Sequence, residues 1–261
     1  HLADSLRRTG GRRSPSRLVL ASFPTALHLG PLTLHLYGVG LATATYVTFR
    51  YAQHRLVARG ISVTRWSRLS AITIVAAIIG ARAAHVATNW NYYSAFPSQI
   101  LSLWGGGLSS FGGIALGVPV AVFAARRYWP QRSILELSDV IVPALVAGWA
   151  LGRLLGPQFM VRGGGHLTTQ WFGLSYEGQT GKRVPVPLIQ AAEDALLWLT
   201  LVWFERRATR GTVTGLALLI WGVVRSVDER LLLGETGHAG SVGVQIAGVL
   251  CALLGLVLCV N

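Results

Sequence analysis

Seven ionisable side chains stand inside apolar stretches of this 261-residue chain: Arg82, Arg153, Glu193, Asp194, Arg225, Asp228 and Glu229. A charge in hydrocarbon costs roughly 2.5–3.5 kcal/mol on insertion scales, so each one needs a reason. Two chemistries account for them. The acids can neutralise the arginines and bolt a helical bundle together. Alternatively, the arginines can bind an anionic phosphate, because guanidinium presents a planar fork of donors matched to phosphate oxygens. Arg225 and Glu229 are four residues apart, so on a helix they share a face and can pair. For Arg153 and Arg230 a third option exists, the long stem snorkelling the charge to the surface.

Other residues with chemical potential lie nearby in pattern. His35 and Tyr37 sit together in Leu34-His35-Leu36-Tyr37-Gly38. Residues 104–113 read Trp-Gly-Gly-Gly-Leu-Ser-Ser-Phe-Gly-Gly, with Gly112 and Gly113 opening an apolar run. Glycines there serve either close helix packing or the approach of backbone N–H groups to an anion at a helix N-terminus. No Gly-Lys-Ser/Thr follows, which excludes a phosphate-loop nucleotidase. The two cysteines, Cys251 and Cys259, are eight apart in one apolar run, too far along a helix for a disulfide. No His/Cys spacing suggests a metal.

The elements that must position these groups follow from composition. Hydrophobic residues make up 52% and charged residues 13%, about half the charge of a soluble domain. The formal net charge is +13. Nucleic-acid binding does not follow from it, because the charges are separated by long apolar runs rather than gathered on polar faces. Seven such runs predict seven transmembrane helices and an all-α polytopic membrane protein: about Leu32–Phe49, Leu69–Thr88, Gly112–Ala125, Leu137–Leu155, Leu188–Phe204, Val213–Leu231 and Val242–Val260. The loops after the first, third and fifth runs hold eleven arginines, and those after the second and sixth hold none. The positive-inside rule then puts the N-terminus outside and Asn261 in the cytoplasm.

Residues 1–28 read as a basic, flexible tail that touches anionic headgroups, without the apolar stretch of a signal peptide. Residues 29–261 read as the membrane domain, with an external loop at about 156–186. A second external stretch, Asn89–Leu108, holds Trp90, Tyr92, Tyr93, Phe96 and Trp104, an interfacial aromatic belt. In this topology all seven buried charges fall near the external face, which is the strongest functional signal of the bare sequence.

The order of the pieces resembles the prolipoprotein diacylglyceryl transferase family from about Leu29 to the C-terminus. Gly30-Pro31-Leu32 leading to His35, Tyr37 and Gly38 is similar to its opening span. Gly80-Ala81-Arg82 with Asn91-Tyr92-Tyr93 is similar to its second, and residues 104–113 to its glycine-rich turn. Asp139, Pro143, Gly148, Gly152 and Arg153 fit its signature span. Ile189-Gln190-Ala191-Ala192-Glu193 fits its fifth, Gly215, Gly222, Arg225 and Glu229 its sixth, and Gln245 its seventh. There are departures. Phe111 stands where the family commonly has histidine, Gly156 where its signature has asparagine, and Trp221 and Ala192 where it has tyrosines.

The resemblance implies an enzyme of the bacterial cytoplasmic (inner) membrane that needs no cofactor. It would move a diacylglyceryl group from phosphatidylglycerol to the lipobox cysteine of a preprolipoprotein signal peptide and release glycerol phosphate. It makes Arg153 and Arg225 the phosphate clamp and leaving-group stabilisers, with Arg82 a further lipid contact. Glu193 and Glu229 would orient guanidiniums, and Gln190, Gly112 and Gly113 would line the lipid site. For the proton acceptor, His35, Tyr37, His85 and a carboxylate all stay open. Two alternatives also stand, a lipid transferase with another acceptor and a non-catalytic phospholipid-binding protein or transporter on the same fold.

Overall fold

The computed structural model describes residues 26–29, 32–102, 107–156, 162–176, 178–232 and 239–260. It opens on a two-stranded antiparallel hairpin, β1 (Ala26–Leu29) and β2 (Leu32–His35), with Ala26 opposite His35. This corrects two expectations. Ala26 to His28, expected in the flexible tail, form a strand with Leu29. Leu32 to His35 were expected to begin a membrane helix but pair with that strand. Residues 1–25 of the expected tail lie outside the described residues.

The rest is helical: α1 (Leu36–Val57), α2 (Val63–Thr88), the short α3 (Trp90–Ala95), a 3-10 turn (Pro97–Leu101), α4 (Ser110–Tyr128), α5 (Ile134–Leu155), α6 (Val186–Phe204), α7 (Thr212–Leu231) and α8 (Ala239–Val260). Each apolar run after the first lies within one of the long helices. Among the described residues, four stretches are long and apolar enough to cross a membrane: Val63–Thr88, Ile134–Leu155, Val186–Phe204 and Val242–Val260. The chain is a multi-pass membrane protein. Its outward faces accordingly carry large apolar side chains such as Ile79, Phe123, Leu196, Trp203 and Val257.

Lipid removes the hydrophobic incentive for helices to associate, so small residues that allow close backbone contact take over. A Cβ on Gly112 would lie 2.2 Å from the Gly80 carbonyl, and one on Gly80 2.3 Å from the Gly112 carbonyl, which fixes α2 against α4. Gly222 meets the Gly248 carbonyl at 2.4 Å on the same measure and fixes α7 against α8. The tightest partnerships are α7 with α8, α2 with α4, α1 with α5 and α5 with α6, whereas α7 meets α5 and α6 more sparsely.

One end of the bundle gathers ion pairs. The Arg55 guanidinium bonds the Glu205 carboxylate and donates through Nε to Val140 O at 2.7 Å, and Arg132 pairs with Glu136 at 2.6 Å. The Asp139 carboxylate accepts from Gly211 N at 2.6 Å and Thr214 N at 2.8 Å, a cap supplied to α7 by another helix. At the other end, the loop between α5 and α6 folds back on the end of α7, where His166 N donates to Leu232 O at 3.1 Å.

Candidate active site

Three helix ends meet opposite the ion-paired end. Arg153 comes from the last turn of α5, Gln190, Glu193 and Asp194 from the first turns of α6, and Trp221, Arg225 and Asp228 from the second half of α7. Together with Val224 these residues line one cavity whose free space is about 10 Å³, the size of a single water. Asp194, Asp228, Glu229 and Gln190 are all buried. A buried charge is costly unless paired, and partners are present for Glu229 and Asp228. Arg225 Nη2 lies 3.0 Å from Glu229 Oε2 one turn along the same helix. Gln190 Nε2 donates to Asp228 Oδ2 at 2.8 Å across helices. The Arg153 guanidinium stands 5.8 Å above the Trp149 ring, which is in turn T-packed on Trp221, and it feels the charges of Arg225, Asp194, Asp228 and Glu193.

The sequence-predicted residues thus divide. Arg153, Arg225, Glu193 and Gln190 converge, and Glu229 holds Arg225. Arg82 does not line this cavity. It donates to Ile100 O at 2.8 Å, to Gly107 O at 3.0 Å and to Gln99 O at 2.5 Å, with its guanidinium 5.1 Å from the Tyr93 ring centroid. Arg82 therefore organises the segment between α2 and α4. Gly112 and Gly113 face α2 in the close contact described above. His35 ends β2 and Tyr37 lies in the first turn of α1, while the side chains of both fall outside the described residues. His85 packs edge-on to Tyr93, with ring centroids 6.0 Å apart.

Sequence reasoning passed over three participants. Asp194 and Asp228 were expected only as neutralising charges, and Trp149 carried no expectation. Trp149 stands four residues before Arg153, a helical spacing that signals a shared face. The Gln190–Asp228 pair spans 38 positions and has no local signature.

Two features of the cavity, set among the carboxylates of Glu193, Asp194 and Asp228, bear on anion binding. Guanidiniums from two different helices border it, and Arg225 Nη1 is buried without a hydrogen-bond partner. Such a donor is costly alone and is matched by an anionic oxygen.

Comparison with known proteins places this arrangement. A profile of the prolipoprotein diacylglyceryl transferase family matches residues 24–261. Among individual relatives, the phosphatidylglycerol–prolipoprotein diacylglyceryl transferase of Synechococcus elongatus is 27% identical over 90% of this chain and 86% of its own length. That of Methylibium petroleiphilum is 32% identical over 79% and 81%, and that of Geobacillus kaustophilus 29% over 89% of both. With a match across nearly every residue from the hairpin onward, the chain belongs to the prolipoprotein diacylglyceryl transferase family.

Proposed function

We propose that this protein transfers the diacylglyceryl group of phosphatidylglycerol to the lipobox cysteine of a preprolipoprotein. The cysteine thiolate attacks the glyceryl methylene carbon that carries the phosphate. The carbon–oxygen bond breaks, its electron pair leaves with glycerol phosphate, and a thioether forms. The thiol, ordinarily ionising near 8.5, must give up its proton, and charge builds on the departing phosphate. Arg153 and Arg225 hold that phosphate and stabilise it as it leaves. Glu229 orients Arg225, and Gln190 holds Asp228 in place. In this reading seven helices cross the bacterial inner membrane, with the N-terminus outside and the C-terminus in the cytoplasm. The active site lies toward the outer leaflet, where its lipid donor and lipobox acceptor meet.

The observation that carries the proposal is the pairing of two guanidiniums from separate helices around one small cavity. Arg153→Ala and Arg225→Ala, purified and folded, should each lose lipidation of a lipobox peptide presented with phosphatidylglycerol. Wild-type turnover in either variant overturns the assignment.

A second reading keeps the donor and changes the acceptor. It is favoured by Phe111 and Gly156, which replace a histidine and an asparagine usual in the family. Glycerol phosphate released without lipidation of the peptide would select it. Phospholipid binding without any release would select a non-catalytic protein on the same fold.

A further inference from the structure

The loop joining α5 to α6 is a small folded unit. Gly165 N donates to Val184 O at 2.9 Å and Thr168 N to Lys182 O at 2.9 Å, while Leu174 and Arg183 exchange both backbone hydrogen bonds. The Gln179 amide bonds both the N–H and the carbonyl of Gly164. Gly173, Tyr176 and Val184 are buried inside it. Out of this knot projects the turn Gln170–Gly173, closed by Gly173 N donating to Gln170 O at 3.1 Å. Its two central residues are aromatic. Trp171 is 89% exposed and is T-stacked on Phe172, itself 40% exposed, and Leu167 nearby is also exposed.

Exposed aromatics on a rigid support mark a contact surface rather than a solvated turn. Three observations say what the contact is. The unit is tied to the end of α7 through His166 and runs directly into α6 through Pro185, so it sits where the helices leave the apolar layer. Exposed Lys182 accompanies the aromatics, its Cβ 3.2 Å from a Cβ built on Gly173, and exposed Arg162 lies on the same unit beside Gly178. Finally, exposed Trp90 and Tyr92 on α3, with Phe96 just after it, follow the end of α2 on the same side of the bundle, so the turn is not alone in presenting aromatics there. An indole, apolar with one N–H donor, suits the boundary between acyl chains and headgroups, and the adjacent cations suit anionic headgroups.

We propose that the Trp171–Phe172 turn is a membrane-interface anchor, with its rings inserted among the headgroups of an anionic leaflet and Lys182 and Arg162 set against lipid phosphates. The bonds from this unit to α6 and α7 then tie two walls of the candidate site to the bilayer surface. The proposal rests on the membrane-spanning reading of the chain and not on transfer chemistry.

The test uses the full chain in nanodiscs of phosphatidylglycerol and phosphatidylcholine, with Cys251→Ala and Cys259→Ala. Trp171→Cys carries a bimane label, and Leu167→Cys provides a second reporter should the first fold poorly. Iodide quenching should fall at least about threefold below that of the glutathione conjugate, as expected at a headgroup boundary, and a nitroxide high on the acyl chain should quench the label. Iodide quenching equal to the free conjugate overturns the anchor. Protection from iodide without nitroxide quenching also overturns it, by showing that protein covers the turn. Neither reading requires turnover, so a failed anchor and a failed transferase assignment are separable.

Discussion

Arg225 allows the two explanations of the buried charges to be separated experimentally. Its guanidinium lies 3.0 Å from Glu229, and the two side chains are only 17% and 7% exposed. Arg225→Ala alone strands a buried carboxylate, which costs about 3–5 kcal/mol of stability. Loss of activity in that variant therefore conflates clamp with bolt. Arg225→Leu combined with Glu229→Leu removes both charges, and replacing a buried ion pair with apolar residues is typically neutral or stabilising by about 1–4 kcal/mol. The double variant should melt at or above the wild-type temperature in detergent. If Arg225 holds the lipid phosphate, transfer is still lost. Arg225→Lys keeps the charge but loses the fork. Forfeiting one charge-assisted hydrogen bond at about 1.5–3 kcal/mol should lower kcat/KM by roughly 10- to 150-fold. The assay is glycerol phosphate release read beside peptide lipidation. A stable double variant with wild-type transfer refutes the clamp and leaves only the bolt.

Gly112→Val places a side chain 2.2 Å from the Gly80 carbonyl and should lower stability by at least about 1–3 kcal/mol, read as a fall in Tm. Arg82→Gln removes a cation that holds Gln99, Ile100 and Gly107 carbonyls, so limited proteolysis should cut between α2 and α4 faster than in the wild type. Unchanged cleavage would contradict its anchoring task. Burial pushes the Tyr176 phenol up to about 12, so the folded loop holds that proton more tightly than the unfolded chain. The stability it lends is complete below pH 10 and is lost as pH rises toward 12. Tyr176→Phe should flatten that loss when loop opening is followed by proteolysis.

Much of the fold was legible because lipid imposes a coarse rule. Runs after the first fall inside long helices, since an apolar stretch of that length has no other way to satisfy its backbone. That Arg153, Glu193 and Arg225 share one end of the bundle was legible too, because successive apolar runs of similar length reverse direction. What escaped depends on partners without a sequence signature. Arg82 binds backbone carbonyls, which every residue carries alike. Gly112 and Gly113 resemble an anion cradle and a helix contact equally well until the facing Gly80 is seen. The β1–β2 hairpin was hidden because Leu32 to His35 are as apolar as a helix start, and only their pairing to Ala26 through Leu29 decides the matter.

The unequal helix packing also sets how firmly the two cavity arginines are held relative to each other. The glycine contacts make α2 with α4, and α7 with α8, stiff couples, while α5 is held firmly by both α1 and α6. The cavity lies on the seam where the α7–α8 couple meets α5 and α6, and there the joint is sparse. Arg225 and Arg153 thus belong to two separately braced groups, α7 with α8 and α5 with α6, so their spacing is set by the joint that is held least.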